Sequence, residues 1–415
     1  MTAATGGSTG GTARWRHLGV SLAGLVAACA VQNGLPFLTV ALRAEGLSLA
    51  AIGLLVSAPT AGLVLSLLAW GAAADRYGER LVLSAGLGIA AAALTGAALA
   101  ATPVATGSWL LLAGAGSASV HAASGRLVLG WFPAPQRGLA MGIRQAGQPI
   151  GVAVAAVALP RLADGGTGTA FAALAAGCAV TAVLVGVLVR DPVRPARSPG
   201  APRVASPYRS PVLWRVHAAS TLLVVPQFVV AAFSFDFLVR QAGWSAGAAG
   251  TLLAGTQLAG AAARLGAGVW SDRAGSRVGP LRLVAVAVAA VVGVLAVVAA
   301  LTPDVLAPAA VAAAVVLSAV VTVSPNGVAF TSVAEQAGSA WAGRALGAHN
   351  TVQNLGATLT VPLAALLVEG GPGYPAAFAA GAVAAALAVG LVPGRAVEAA
   401  SRGAPPVAVG AAPGR

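Results

Sequence analysis

"GAAADRYGER", residues 71–80, places Asp75, Arg76, Glu79 and Arg80 between two long apolar runs. The rest of the chain is poor in charge, since 8% of its 415 residues are charged and 58% are apolar. Apolar runs of about 20 residues recur along it, and each is long enough to cross the hydrocarbon core of a bilayer. Alternation typical of strands is absent, and a helix satisfies its own backbone hydrogen bonds in lipid. The composition therefore predicts an all-α polytopic membrane protein.

The apolar runs between charged residues and Pro/Gly breaks predict twelve transmembrane helices. They lie at residues 17–42, 48–74, 80–102, 107–132, 138–161, 168–190, 213–240, 245–270, 280–302, 306–334, 343–368 and 374–393. The segment 191–212, between the sixth and seventh spans, is rich in Pro, Arg and Ser. This composition predicts a flexible linker.

The basic residues predict how the chain is oriented in the membrane. All 24 are arginine, and with a cytoplasmic N-terminus eighteen of them fall on the cytoplasmic side. Only Arg43, Arg161 and Arg240 fall outside. This positive-inside bias predicts a multi-pass protein of the cytoplasmic membrane whose tails, 1–16 and 394–415, are cytoplasmic. Because the net charge of +13 lies mostly in short connectors, it indicates the lipid bilayer rather than nucleic acid as partner.

The charged stretch recurs 197 residues later in the chain. The first copy comprises Gly71, Asp75, Arg76, Gly78 and Arg80, and the second Gly268, Asp272, Arg273, Gly275 and Arg277. Upstream, Gly46 and Ser48 correspond to Gly243 and Ser245 at the same offset. Spans five and eleven align at an offset of 205. These repeats predict two homologous six-helix bundles in the same orientation, residues 17–190 and 213–393.

The twelve spans, the six-plus-six repeat and the doubled GxxxDRxGxR motif resemble the major facilitator superfamily over essentially the whole chain. "WFPAPQRGLAMG", residues 131–142, is also similar to the family's link between helices four and five. The resemblance implies a secondary transporter that binds a small-molecule substrate and works by alternating access, and we expect a functional monomer. One departure is Leu110, where the family's drug/proton antiporters often carry an Arg. It argues against direct transfer of their mechanism.

The resemblance also implies that the repeated motif is a cytoplasmic gate. In the family, the Asp matching Asp75 lies beside the first turn of helix eleven, here near Gly343 and Arg344, when the cytoplasmic side is closed. A carboxylate is favoured beside the partial positive charge of a helix N-terminus. Asp75 and Arg80 are therefore expected to hold the outward-facing state, with Asp272 in the symmetric role. The alternative is a solvated turn with positive-inside arginines.

Polar residues inside spans are costly unless they face protein or water, so they indicate a substrate cavity. Spans three, six, nine and twelve carry almost none, as expected of outer helices facing lipid. The candidate cavity residues are Gln32, Asn33, Arg126, Arg144, Gln145, Gln148, Gln227, Gln257, Arg264, His349, Asn350 and Gln353. Helical spacing places Arg144, Gln148 and Gly151 on one face of span five, and the matching residues on one face of span eleven. These two faces are expected to point toward each other.

Three arginines within spans, Arg126, Arg144 and Arg264, lie roughly 10–12 Å inside the predicted cytoplasmic boundary. No carboxylate is near them in sequence. They predict a cationic site for a small carboxylate or an inorganic oxyanion. Alternatively, each reaches back to the interface with its long side chain.

Candidates for proton coupling are Asp236, His121 and His349, because a buried acid or an imidazole can titrate near neutral pH. Asp236 lies one helical turn before Arg240, so a plain i,i+4 ion pair is the competing interpretation. Coupling to protons is left open by the residues themselves.

The favoured function is therefore transport of a small solute, either an organic or inorganic anion or, alternatively, an exported drug or hydrophobic metabolite. A non-transporting membrane sensor is a further alternative, without an evident signalling domain to support it. The sequence contains no metal-ligand cluster, nucleotide-binding loop or nucleophile with a base nearby. It therefore predicts no cofactor, metal or catalytic residue, and the chain is not expected to be an enzyme. Cys29 and Cys178, in separate apolar runs, indicate neither a disulfide nor a metal site.

Overall fold

The computed structural model describes residues 9–192, 206–301, 306–371 and 373–394, and the regular elements in these ranges are helical. The helices are α1 (Thr9–Asn33), α2 (Thr39–Ala44), α3 (Leu49–Tyr77), α4 (Glu79–Ala98), α5 (Pro103–Trp131), α6 (Arg137–Leu162), α7 (Thr167–Leu188), α8 (Pro211–Asp236), α9 (Ala246–Arg273), α10 (Val278–Ala300), α11 (Pro308–Val323), α12 (Pro325–Ala337), α13 (Ala342–Glu369) and α14 (Gly373–Leu391). Residues 1–8 and 395–415 of the predicted tails and residues 193–205 of the predicted linker lie outside the described residues.

Nine helical segments of the described chain are long and apolar enough to cross a membrane, and α1 with α2 makes a tenth as a pair bent by 51°. Within these, α11 and α12 form one segment, Pro308–Ala337. Helices α5 and α9 fall outside this set because Gly, Ser and Arg residues lower their hydropathy. The all-helical membrane fold is confirmed, whereas the predicted count of twelve spans is not fully confirmed.

The first compact unit comprises Met1–Pro133, Ile143–Arg194 and Gly338–Thr351. In it, α4 packs against α5 and α7. Its core is built from buried aliphatic residues together with Phe171 of α7. The outer surface of α7 is apolar too, since Val180, Val183 and Val187 are 59%, 64% and 71% exposed. Their helical spacing makes one stripe, which suits a helix that faces lipid.

The second compact unit comprises Ala134–Gly142, Pro195–Ala337 and Val352–Arg415. In it, α10 packs against α14, and its core includes buried valines of α10 and Phe378 of α14. These units differ from the predicted bundles at two helix starts. The first turn of α6 belongs to the second unit, and the first turns of α13 belong to the first.

The internal repeat is visible in how helices begin and end. Ser48 and Ser245 are N-caps of α3 and α9, and each Oγ accepts a backbone N–H three residues on at 3.2 Å. At the other end of each helix, Gly78 and Gly275 have φ angles of +92° and +61°. Residues with a Cβ rarely adopt this left-handed region, which is why the motif needs its second glycine.

Candidate functional site

Asp75, near the end of α3, contacts the first turn of α13. One carboxylate oxygen accepts the Gly343 N–H at 2.9 Å and the other accepts the Arg344 N–H at 3.1 Å. The side chain is only 3% exposed, and the Arg344 guanidinium lies 3.5 Å from it. A carboxylate here neutralises the partial positive charge of the helix N-terminus. The contact has the geometry expected of the motif, while its role in gating stays a prediction.

The first glycine of the motif lets α3 and α13 approach closely. A Cβ on Gly71 would lie 2.5 Å from the Gly343 carbonyl oxygen, and one on Gly347 would lie 2.7 Å from the Leu67 carbonyl oxygen. Real Cβ atoms do not come this close, so any side chain would separate the two helices. In the second unit, Gly268 and Gly138 meet in the same way.

Besides Arg344, Asp75 pairs with Arg126 of α5, a second cation of the first unit. Arg126 forms an ion pair with Asp75, and its Nε lies 2.8 Å from a carboxylate oxygen of Glu79. The Arg126 and Glu79 side chains are 4% and 0% exposed. The assignment of Arg126 to a cationic substrate site is therefore corrected, because the fold brings it two carboxylates that are distant in sequence.

Arg80, by contrast, does not complete the charge cluster around Asp75. Its Nε donates to the Gly186 carbonyl at 2.6 Å, and its backbone N–H donates to Asp191 at 2.8 Å. Asp191 also accepts the Glu79 N–H at 2.7 Å, so it caps the start of α4. The expectation that Arg80 acts beside Asp75 is corrected, since the turn at Gly78 directs the exposed Arg80 toward α7.

The second copy of the motif is built differently. Asp272 accepts the N–H groups of Gly138 and Leu139 at 2.8 and 2.9 Å, in the positions that correspond to Gly343 and Arg344. Here the motif arginine does complete the cluster, because Arg277 lies 2.7 Å from Asp272 and 3.1 Å from Glu335. The two copies therefore share their backbone contacts and differ in the arginine that holds the carboxylate.

The surroundings of Arg277 keep it charged. Burial opposes the charged guanidinium, but the hydrogen bonds and charges of Glu335 and Asp272 outweigh that effect and raise the pKa of Arg277. It also donates to the Ala134 carbonyl at 2.7 Å. Because Arg277 stays protonated, a change in pH does not remove the positive charge from this cluster.

We expect Arg277→Ala to destabilise the protein more than Arg80→Ala. The first change leaves Asp272 and Glu335 poorly compensated in a buried site, which costs about 3 kcal/mol. The second removes an exposed hydrogen bond worth less than about 1 kcal/mol. Thermal unfolding of both purified variants, followed by tryptophan fluorescence in one detergent, measures the difference. Equal losses of melting temperature would contradict the difference between the two motif copies.

Arg144 of α6 is the largest fully buried side chain among the described residues, at 1% exposure. Its Nε donates to Ser124 Oγ at 2.6 Å and its Nη2 to the His121 carbonyl at 3.0 Å. Its Nη1 donates to Gln145 Oε1 at 2.7 Å. The guanidinium is thus held inside the protein by α5, which argues against the alternative that it reaches back to the membrane interface.

The His121 carbonyl is shared with α13. Asn350 Nδ2 donates to it at 3.3 Å and to the Leu346 carbonyl of its own helix at 2.9 Å. Helices α5, α6 and α13 therefore meet within the first unit at one backbone oxygen. Sequence reasoning found Arg144, His121 and Asn350, but missed Ser124, because a serine within a helix carries no distinguishing signal.

The remaining predicted cavity residues lie in smaller groups. Hydrogen bonds join Gln32 to Ser117 Oγ at 3.0 Å, Asn33 to the Cys29 carbonyl at 3.3 Å, Gln227 to Asn326 at 3.2 Å and Arg264 to the Val323 carbonyl at 3.4 Å. His349 is buried, Gln148 and Gln353 are half-buried, and Gln257 is exposed. The structure therefore gathers only some of the predicted residues around Arg144.

The glycine ends of the predicted polar faces of α6 and α13 contact other helices of their own units. A Cβ on Gly151 would lie 2.5 Å from the Val26 carbonyl of α1, and one on Gly356 would lie 3.0 Å from Thr221 of α8. The glycine ends of both faces thus pack against the first helix of their own unit. That the two faces point toward each other stays a prediction.

Of the proton-coupling candidates, Asp236 makes the contact that its neighbour in the sequence predicts. Asp236 forms the i,i+4 ion pair with Arg240 at 2.7 Å and also accepts the Tyr374 hydroxyl. This confirms the competing interpretation of its contact. Among the described residues no group of three His, Cys, Asp or Glu side chains could hold a metal ion, and neither cysteine is in a disulfide.

Two comparisons of the sequence bear on the family. A family model described as Major Facilitator Superfamily matches residues 20–360. A protein of Mycobacterium tuberculosis (strain ATCC 25618 / H37Rv), described as an uncharacterized MFS-type transporter, is 42% identical over 392 residues. The match covers 93% of this chain and 86% of that relative.

Solved structures share the fold. The E. coli fucose:proton symporter FucP superposes with a TM-score of 0.72 at 15% identity, covering 90% of this chain and 97% of that one. The human organic anion transporter MFSD10 superposes with a TM-score of 0.70 at 14% identity, covering 92% and 99%. At such low identity these likenesses concern the fold alone.

Proposed function

The chain belongs to the Major Facilitator Superfamily, and from this membership we propose that it is a secondary active transporter that moves a small anion across the cytoplasmic membrane by alternating access. The observation that carries the substrate class is the buried guanidinium of Arg144. The proposed orientation, with both tails cytoplasmic, rests on the distribution of arginines.

A charged side chain within a membrane helix is costly, so it is retained where it serves a site. The acceptors of Arg144 described above are neutral oxygens, those of Ser124, Gln145 and the His121 backbone. A carboxylate or inorganic oxyanion would replace a neutral acceptor by a shorter, charge-assisted hydrogen bond. The planar guanidinium also matches the two oxygens of such an anion.

The α5 segment 121–126 connects this site to the Asp75 contact. Ser124 and the His121 carbonyl hold Arg144, and Arg126 pairs with Asp75. These residues lie within two turns of one helix. A substrate that draws Arg144 away from α5 would therefore disturb the segment that also carries the cation of the gate.

The start of α13 supplies a second connection. Gly343 and Arg344 bind Asp75, while Asn350, two turns later, donates to the His121 carbonyl. The same helix segment thus contacts both the gate carboxylate and the backbone oxygen beside the proposed site. We propose that substrate binding shifts the gate through these contacts, since coupling requires an element that both sites bias.

We expect small carboxylates or inorganic oxyanions to raise the melting temperature of the purified protein, whereas hydrophobic cations should not. A ligand at one hundred times its Kd stabilises the folded state by about 2.7 kcal/mol. The screen is run by thermal shift on the wild type and on Arg161→Ala, an exposed arginine of the same helix, which should respond alike. Stabilisation by hydrophobic cations alone would contradict the anion proposal and favour an exporter. Measuring whether uptake depends on a proton gradient would show whether transport is coupled to protons.

A further inference from the structure

The ends of α1, α5 and α7 bring arginine and tryptophan side chains together in the first unit. We call this surface the basic–aromatic patch, formed by Arg14, Trp15, Arg16, Trp131 and Arg190. Trp131 Nε1 donates to the Arg190 carbonyl at 2.9 Å, which ties the end of α5 to the residues after α7. Beneath this surface, the buried ring of His17 lies 4.4 Å from that of Trp131 and joins α1 to α5.

The arginines of the patch are available to a ligand. Arg16 and Arg190 are exposed, and no side chain of the three arginines forms an ion pair or hydrogen bond with a described residue. The Arg14 guanidinium lies 5.9 Å from the centroid of the Trp15 ring and 5.7 Å from that of Phe132. These cation–π contacts fix its position without neutralising its charge. Trp15 itself is 39% exposed.

The second unit contains an arginine near the start of a helix that is used within the fold. Trp214 and Arg215 stand near the start of α8 as Trp15 and Arg16 stand near the start of α1. Arg215, however, donates to the carbonyls of Leu391 and Gly390 at 3.0 and 3.3 Å and so caps the end of α14. Arg16 has no such contact among the described residues, so its charge is directed outside the fold.

We propose that the basic–aromatic patch binds the phosphate of an anionic phospholipid in the cytoplasmic leaflet. The proposal rests on the proposed orientation, which places these helix ends at the cytoplasmic boundary. Arginine clusters recognise phosphate oxygens by charge-assisted hydrogen bonds. Tryptophans at this level suit the boundary between headgroups and acyl chains. The bound lipid would hold the start of α1 against the ends of α5 and α7.

The test compares two double variants that remove equal charge from exposed arginines. Arg16→Ala/Arg190→Ala alters the patch, and Arg209→Ala/Arg282→Ala is the control in the second unit. The purified full chain is titrated in neutral detergent with phosphatidylglycerol, phosphatidylcholine or inorganic phosphate, and bound lipid is counted by native mass spectrometry. Phosphatidylglycerol should bind about 30-fold more weakly to the patch variant, and within about threefold of wild type to the control.

Equal losses in both variants would overturn the proposal, because they would indicate attraction to net charge without a site. Binding of inorganic phosphate as tight as that of phosphatidylglycerol would overturn the lipid as ligand. If the alanine variant does not fold, the lipid preference is measured for Arg16→Lys/Arg190→Lys and for the wild type instead. Wild type without preference for phosphatidylglycerol over phosphatidylcholine would reject the patch, and a Lys variant that retains the preference would support it.

Discussion

Replacement of Asp75 by Asn is expected to release the first turn of α13 and to shift the transporter toward its inward-open state. The substitution removes the charge that faces Arg126 and the amides of Gly343 and Arg344. Hydrogen bonds to a charged group contribute roughly 1.5–3 kcal/mol. The equilibrium should therefore move about 10- to 100-fold away from the closed cytoplasmic contact, and transport should slow because the cycle stalls on one side.

The shift can be measured without knowing the substrate. Ala342, at the start of α13, is fully buried, so a cysteine placed there should react slowly with a maleimide added from the proposed cytoplasmic side. Asp75→Asn should speed this labelling. The native Cys29 and Cys178 are buried and are replaced by Ser to remove background.

Asp191→Asn is the matched control, because Asp191 also accepts two backbone N–H groups at a helix start, but at α4. It should leave the labelling of position 342 close to that of the parent. If Asp75→Asn labels no faster than Asp191→Asn, the gate assignment is wrong.

Replacement of Arg144 by Gln is expected to reduce strongly the stabilisation by the anions that shift the melting temperature of the wild type. The change removes a buried cation while keeping a side chain that can hydrogen bond to Ser124 or the His121 carbonyl. Loss of a charge-assisted contact of this kind weakens binding roughly 10- to 100-fold. Arg144→Lys keeps the charge but not the planar fork, so it should retain part of the affinity.

These variants are compared with Arg161→Ala by thermal shift and by uptake into proteoliposomes of the anion that stabilises the wild type most. Arg161 lies near the end of the same helix, where its Nη1 donates to the Val157 carbonyl at 2.6 Å. Equal anion affinity in Arg144→Gln and Arg161→Ala would show that Arg144 does not bind the substrate. The gate readout at position 342 is independent of this result.

The fold was predictable because apolar length and the placement of charge follow from the solvent. Lipid requires long apolar helices, and these dominate the composition whatever their partners are. Spans 107–132 and 245–270 were predicted too, but the helices there, α5 and α9, carry small and charged residues that lower their hydropathy, so the count of twelve is not fully confirmed. Helix α5 is buried along much of its length, so lipid constrains its composition less.

The charged contacts were predictable only in part. The neighbour of Asp75 came from the family resemblance, which fixes the position of the motif beside helix eleven. The resemblance did not identify the pairing with Arg126, which is 51 residues away in sequence, whereas Arg80 is only five away. Proximity along the chain favoured Arg80, but the turn at Gly78 sends it toward Gly186.

By itself, the sequence determined that this chain crosses a membrane repeatedly as helices, that it consists of two related halves and that its charged motif occurs twice. Each of these is a periodic or local property, readable from residue type and spacing. Only the tertiary structure decided that Arg126 forms an ion pair with Asp75 while Arg277 forms one with Asp272, and that Arg144 is held by α5. Such pairings depend on which helix faces meet, and the free energy of a buried charge is set by those neighbours.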